Sequence, residues 1–328
     1  MSRPLIAIVR GGYSGESVIS HQSAARMMSA IDHRAYEALY VTVEKRQWCC
    51  ADPEGRMLGF DRGSFAVVRG GNTERFAAAL IAIHGAPGED GKLQGYLDML
   101  GVPYQTGGVF SMALSFSKYG TTALLRQLGF DVCPSVFLLR GANDAAERVA
   151  ALGYPCFVKP DQSGSSLGVS KVKTPSELDA ALSLAFAESS SVMVEAAVSG
   201  RELTCGVIDL DGTPRALPVC EIRHSREFFD YEAKYHAKDT EELVPAPLPE
   251  EVTRLVQERS AAIYAALECR GMVRVDHFWT GDRLVTIEVN TTPGFSGASI
   301  YPKMLDVSGI GVPAAINGLV ARMLQGRS

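Results

Sequence analysis

The sequence predicts an α/β protein: strands and helices alternate around a mostly parallel sheet for about the first hundred residues, and a mixed α+β remainder follows. Three observations carry this. "LIAIVRGG" at 5–12 and "AALIAIHG" at 78–85 are short apolar runs closed by glycine, as buried strands are. "SGESVISHQSAARMMSAI" at 14–31 has helical periodicity behind a serine cap. With 328 residues, 46% hydrophobic and 21% charged, the chain can bury a substantial core and has the length of two or three domains.

In chain order, "YEALYVTV" at 36–43 reads as a second strand, and "GKLQGYLDMLG" at 91–101 as a helix after the strand that ends at His84. "GVPYQTGG" then punctuates the chain, which sets a first domain at 1–108. Residues 109–195 follow another pattern: a helix around "TTALLRQLG", a strand "CFVKP", a Gly/Ser loop, a strand "GVSKVK", a helix "PSELDAALSLAFAES" and a strand "SVMVEAA". Residues 196–328 form the third unit, mixed α+β.

The formal net charge of −5, with no Lys/Arg run, argues against a nucleic-acid or anionic-membrane partner. "MSRPLIAIVRGG" runs straight into a strand, without the apolar stretch of a signal peptide, and no run approaches the ~20 residues that span a bilayer. Seven cysteines without a C-x-x-C pair fit reduced thiols in a cytoplasmic compartment.

"MVRVDHFWTGDRLVTIEVNTTPG" at 272–294 is a hairpin by pattern, yet Arg274, Asp276, Glu288 and Asn290 interrupt its apolar runs. Each pair is spaced i, i+2 and so shares a strand face. A two-residue loop, Gly281-Asp282, would put Asp276 and Glu288 on opposite faces; a three-residue loop, Gly281 to Arg283, sets them opposite each other. The odd-length loop is the expectation. One face then presents three hard oxygen donors without His or Cys, which suits Mg²⁺. The glycine-rich "NTTPGFSGAS" that follows is suited to offering N–H groups to an anion.

"CFVKPDQSGSSLGVSKVK" at 156–173 reads as strand, loop, strand, with Lys159 at the strand exit and Ser165 and Ser166 in the loop. It is no Walker site, and its nearer analogue is a glycine-rich flap over the phosphates of ATP. Glu195 and Glu202 could hold an adenine amino group and ribose hydroxyls, or could be surface charges. Glu16 in a first helical turn either complements the helix dipole or meets a substrate ammonium. His84 ends a strand and is either structural or catalytic. Residues 228–249 are aromatic and charged without either period, and read as a lid that brings Lys234 and Tyr235 to the site.

Taken together, "GGYSGESVIS", "HGAPGEDGKLQGYLDMLGVPY", "FVKPDQSGSSLGVSKV", "FFDYEAKY", "RVDHF" and "EVNTTPGFSGASIYPK" closely resemble the D-alanine–D-alanine ligase family of the ATP-grasp superfamily, in order and spacing, across essentially the whole chain. The resemblance implies three domains: an N-terminal Rossmann-like parallel-sheet domain, then central and C-terminal α+β domains with ATP between them. It implies that Lys118, Lys159 and Lys234 serve the phosphates, Glu195 and Val198 the adenine, and Glu202 the ribose, with Ser165, Ser166 and Phe228 also at the ATP site. Asp276, Glu288 and Asn290 would bind two Mg²⁺, with Mn²⁺ able to substitute. Glu16 and His84 would meet the first D-alanine, and Ser299 and Ile300 the second. Ser165 and Tyr235 would link to Glu16, while Arg274 and the Gly294 N–H would form an oxyanion hole. The implied reaction joins two D-alanines through an acyl phosphate for peptidoglycan precursor synthesis, in a cytoplasmic homodimer.

The alternatives are a related ligase using D-serine, D-lactate or a specialised amino acid as second substrate, and a nucleotide-binding regulator that does not catalyse. The chain departs from the family pattern at Ser117, where an aspartate usually precedes the lysine, at Thr121 or Thr122 near a usual second lysine, in the plain hinge "EAAV", and at His277 in place of an aromatic residue.

Overall fold

The computed structural model describes residues 3–164, 167–223 and 240–326. Their strands form three sheets. The first holds β1 (Leu5–Gly11), β2 (Glu37–Val43), β3 (Trp48–Ala51), β4 (Met57–Asp61), β5 (Ala66–Arg69), β6 (Asn72–Arg75) and β7 (Ala78–Ile81), in the order β6-β5-β4-β3-β2-β1-β7. β1 lies at the parallel heart, flanked by β2 and β7 and with residues 5–9 buried, as its unbroken apolar run requires. The helix α1 (Ser17–Ala30) makes the crossover from β1 to β2.

Parallel pairing stops there, and the expected mostly parallel sheet is instead a mixed one. β2 to β6 pair antiparallel in sequence order. The reason is local: the connections between these strands, from Glu44 to Gly71, are short turns, none long enough for a crossover. The last is Gly70-Gly71 between the partners Arg69 and Asn72, with both glycines at positive φ (54° and 81°), the two-residue turn that matches strand twist.

After α2 (Lys92–Leu100), α3 (Val109–Phe116) and α4 (Lys118–Gln127) comes a four-stranded sheet, β10-β9-β11-β8. Its strands are β8 (Ser135–Leu139), β9 (Cys156–Pro160), β10 (Ser170–Val172) and β11 (Ser191–Ala196), covered by α5 (Ala145–Leu152) and α6 (Leu178–Glu188). Its core, including Leu138, Val158, Ala181 and Val192, is drawn from this segment alone.

The third sheet contains β12 (Arg201–Asp209), β13 (Pro214–Ala216), β14 (Cys220–Arg223), β15 (Glu241–Leu243), β16 (Met272–Trp279) and β17 (Leu284–Asn290), all antiparallel, with α7 (Glu250–Ala266) packed on it. Two terminal helices, α8 (Ile300–Val307) and α9 (Val312–Gln325), return to the first sheet. Tyr301, Met304, Ile316 and Leu319 share one core with Ile6, Ile8 and Met27. That burial explains their apolar composition. Among the described residues no single helix is long and apolar enough to cross a membrane.

Candidate active site

The hairpin β16–β17 has the predicted pairing: Arg274 opposite Asn290 and Asp276 opposite Glu288. It reaches that pairing by another route than the expected three-residue loop. The Thr280 N–H bonds the Arg283 carbonyl at 3.0 Å across Gly281-Asp282, so the turn has two residues. That parity holds through Trp279↔Leu284 and His277↔Thr286; the register then shifts between His277 and Asp276. Ile287 is the extra residue of a β-bulge, which turns Glu288 and Asn290 onto the face of Asp276 and Arg274. The Thr286 N–H is held by the Asp131 carbonyl at 2.8 Å, from outside the hairpin.

This acidic face is tightly cross-linked. Arg274 Nε and Nη2 each donate to Asp276 at 2.9 Å, Asn290 Nδ2 donates to Asp276 Oδ2 at 2.9 Å, and the Thr204 hydroxyl donates to Asp276 Oδ1 at 2.6 Å. Burial works against the Arg274 charge, but Asp276, with Glu288 and Glu202, raises its pKa above the ordinary value. Directly behind, His277 is fully buried between Ser260 (2.9 Å) and Thr286 (3.2 Å). Burial pushes its pKa down to about 4, so it is neutral. The residue replacing the family's aromatic side chain is thus a core histidine.

The departure at Ser117 is also structural. Its hydroxyl caps α4 by accepting the Gly120 N–H at 3.0 Å, and it donates to the buried Asp161 at 2.9 Å. Asp161 in turn accepts the Tyr119 N–H at 2.8 Å, clamping the helix start to the end of β9. Lys118 is thereby fixed at the first helical position, donating to the Ser163 carbonyl at 2.6 Å and pairing with Glu288 at 3.3 Å. Thr121 and Thr122 are buried in the packing of α4.

Lys159, on β9, pairs with Glu195 on β11 at 2.5 Å, both largely buried. Burial would lower the lysine pKa, and Glu195 reverses this and raises it. The other Glu195 oxygen, Oε1, is buried without a hydrogen-bond partner among the described residues, the neighbouring Cys133 thiol being a weak donor. A buried acceptor left open at a cleft wall fits an amino group from a ligand, such as that of an adenine.

At the opposite end, Glu16 immediately precedes α1, and Gly164 comes against it: a Cβ there would lie 2.6 Å from Glu16 Oε2. The buried His84 contacts the Thr292 carbonyl through Nδ1 (2.9 Å) and the Ser23 hydroxyl through Nε2 (3.1 Å). Its pKa is lowered by burial, with Glu16 opposing.

Glu16, His84, Lys118, Lys159, Glu195 and the Arg274/Asp276/Glu288/Asn290 face line one cleft of about 1160 Å³. Fourteen residues singled out by sequence are there: Glu16, His84, Lys118 and Lys159; Glu195, Val198 and Glu202; Arg274, Asp276, Glu288 and Asn290; Gly294, Ser299 and Ile300. Ser165, Ser166, Phe228, Lys234 and Tyr235 lie outside the described residues. Sequence reasoning missed Glu89, half-buried in the same cleft, whose pKa burial and then Glu16 push up to about 7. It sits in the quoted block "HGAPGEDG", but a lone acid beside a turn carries no signal until the fold encloses it.

Two sheets closing on a nucleotide-sized cleft, one contributing buried lysine and the other a face of oxygen ligands, are the architecture of an ATP-grasp ligase. The particular family follows from direct comparison. A family model described as D-ala D-ala ligase N-terminus matches residues 5–107, and one described as D-ala D-ala ligase C-terminus matches 124–322. The D-alanine–D-alanine ligase of Bacteroides fragilis is 39% identical over 317 residues, 96% of this chain and 98% of that protein. The crystal structure of VanG D-Ala:D-Ser ligase from Enterococcus faecalis superposes with a TM-score of 0.88 at 31% identity, covering 98% of this chain and 100% of that one. The ATP complex of D-alanine–D-alanine ligase from Bacillus anthracis gives 0.81 at 30% identity, covering 100% and 99%. This chain belongs to the D-alanine–D-alanine ligase family.

Proposed function

We propose that the protein condenses two D-alanine molecules at the expense of ATP, through a D-alanyl phosphate, to supply a peptidoglycan precursor. The observation that carries this reading is the meeting, in one cleft, of Lys118 and Lys159, the Asp276/Glu288/Asn290 face, and Glu16 with Arg274 and Gly294. A carboxylate attacks a phosphoryl group only when the charges of both are neutralised. Lys118 and Lys159 supply positive charge at the phosphates, and the orphaned Glu195 Oε1 receives the adenine amino group.

Asp276, Glu288 and Asn290 form a hard oxygen set on one strand face, which fits Mg²⁺. When bound, Mg²⁺ neutralises phosphate charge and polarises the transferring phosphoryl group. Glu16 holds the ammonium of the first D-alanine, leaving its carboxylate to be phosphorylated. The amine of the second then attacks the acyl carbon, phosphate departs, and the oxyanion is stabilised by Arg274 and the Gly294 N–H. Ser299 and Ile300, at the start of α8, receive the second substrate.

The three sheets are proposed as domains bounded near 108 and 195. A homodimer follows from the family resemblance, and a cytoplasmic location is consistent with seven free cysteines. A second reading, D-serine as second substrate, is favoured by the likeness to VanG. Purified protein with ATP, Mg²⁺ and a panel of D-amino and D-hydroxy acids decides between them by ADP release. D-alanine alone should support full turnover; a strong preference for D-serine in the second position would replace the proposal, and no ADP with any acid would remove it.

A further inference from the structure

The segment 131–135 runs between the edges of two sheets and is bonded to both. β17 is an edge strand of the third sheet, and β8 is an edge strand of the second. Val132 forms a parallel bridge with Thr286, whose N–H donates to the Asp131 carbonyl at 2.8 Å. Three residues on, Ser135 opens β8 opposite Glu195, and the Ala196 N–H donates to the Pro134 carbonyl at 2.9 Å. One short strap thus reaches from beside the acidic face to the carboxylate that pairs with Lys159. Little in it can stretch. Val132 and Cys133 are buried, the Pro134 ring restricts the backbone, and Arg126 on α4 donates to the Cys133 carbonyl at 2.9 Å.

A side chain doubles the grip of the strap on β17. Arg283 Nε and Nη2 donate to the two Asp131 carboxylate oxygens at 2.9 and 2.6 Å, a bidentate pair. Asp131 therefore holds β17 at two points three residues apart, Arg283 and Thr286, both on the turn side of Ile287. The register is decided here. Continued without the bulge, the two-residue turn would leave Glu288 and Asn290 on the face away from Asp276. Neither Asp131 nor Arg283 is among the residues that line the cleft.

We propose that Asp131 is a positioning residue: pinned to Arg283, it anchors the strap that keeps the bulge in place and sets the distance between Glu195 at the base end and the Asp276/Glu288/Asn290 face at the metal end. This rests on the ligase reading above. The span from the adenine amino group to the metal-bound phosphates is limited by ATP itself, so a site that grips both ends needs its two walls at one spacing. Those walls belong to different sheets, and the strap is bonded to each. Beyond Asn290 the chain has its own anchor in the first layer, where the Phe295 N–H donates to Ser23 Oγ at 3.2 Å. Losing the Asp131 contact is therefore felt at the metal face and not at the amino-acid end.

The test uses the full-length protein with ATP and no amino acid, and follows Mn²⁺ binding by the electron paramagnetic resonance of the free ion. It compares wild type, Asp131→Ala, Arg283→Ala and the exchanged pair, Asp131→Arg with Arg283→Asp. The single variants should bind Mn²⁺ about fivefold or more weakly, and the exchanged pair should return to within about twofold of wild type. KM for D-alanine, read from ADP release, should stay within about twofold. An ion pair whose side chains are 62% and 30% exposed adds little to global stability, so the urea midpoint should stay near wild type. Wild-type Mn²⁺ affinity in both single variants overturns the proposal, and so does an exchanged pair that binds no better than they do. Weaker Mn²⁺ binding that comes with a clearly lower urea midpoint makes the pair a general support of the fold and overturns it as well. Hydrogen exchange reads the anchor itself: the Thr286 amide should exchange about tenfold faster in Asp131→Ala, and unchanged exchange overturns the proposal. A wild type that binds no Mn²⁺ with ATP and releases no ADP with any amino acid removes the ligase reading instead.

Discussion

Two hairpins place charge in the cleft, and they do so differently. In β16–β17 the charged groups hold one another: Asp276 accepts from Arg274, Asn290 and Thr204, on strands paired along most of their length. In β9–β10 the described support for the charge is thinner: Lys159 pairs with Glu195 on the neighbouring β11 and lies 5.8 Å from the Phe157 ring centre, and β10 is a three-residue edge strand. The acidic face is over-determined by register, and among the described residues the basic one rests mainly on one ion pair. Removing one hydrogen bond should therefore be tolerated structurally in the first hairpin, and the loss of one partner should be costly in the second.

The largest effect tests the acidic face in its chemistry. Glu288→Gln keeps the shape but removes a carboxylate, and turnover should fall at least ~10³-fold, about 4 kcal/mol, in steady-state ADP release. Its unfolding midpoint in urea should stay near wild type; a large drop would mean that this hairpin is no better supported than the other.

Lys159→Met is the counterpart. It leaves the Glu195 carboxylate, 4% exposed, without its cation, and stability at neutral pH should fall by about 3–4 kcal/mol in denaturant titration. Lys159→Met with Glu195→Leu should recover most of that stability while ATP binding stays lost. Failure of the double variant to recover would show that the pair is held by more than mutual neutralisation.

Acid should weaken the first hairpin through His277. Its pKa falls from an ordinary 6.5 to about 4 on folding, so between these values the unfolded chain binds the extra proton. The stability involved is fully present above pH 6.5 and is lost as the pH falls through about 4, a loss of about 3 kcal/mol. The slope of unfolding free energy against pH should flatten in His277→Gln.

The smallest effect concerns the loop after β9. Gly164→Ala puts a methyl group 2.6 Å from Glu16 Oε2, which the flexible glutamate can evade only by leaving its position. KM for D-alanine should rise on the order of tenfold, with stability changed by under ~1 kcal/mol. An unchanged KM would separate this loop from the first-substrate site.

Much of this was legible in the residues. The β1 and β7 runs, the periodicity of α1 and the i, i+2 spacing of Arg274/Asp276 and Glu288/Asn290 are local signals, and local sterics fix what they mean. Ser117 was legible only as a departure; its role as a cap bound to Asp161 needed the fold that brings residues 117 and 161 together. Glu89 was not legible at all, because a carboxyl group is given a raised pKa only by its surroundings. The strands from 48 to 75 were overlooked because they are only four or five residues long and so carry weak apolar patterning, with β6 exposed throughout.

By itself, then, the sequence determined the strongly patterned strands and helices, which of their side chains share a face, and which family the pattern resembles. These depend on neighbours a few residues apart. The tertiary structure decided the parity of the acidic hairpin, through a bulge beside Thr286 where the Asp131 carbonyl takes its N–H. It also decided that the terminal helices share a core with β1 while the central sheet keeps its own. A bulge and a shared core are set by contacts between residues more than a hundred positions apart, and no short-range pattern encodes them.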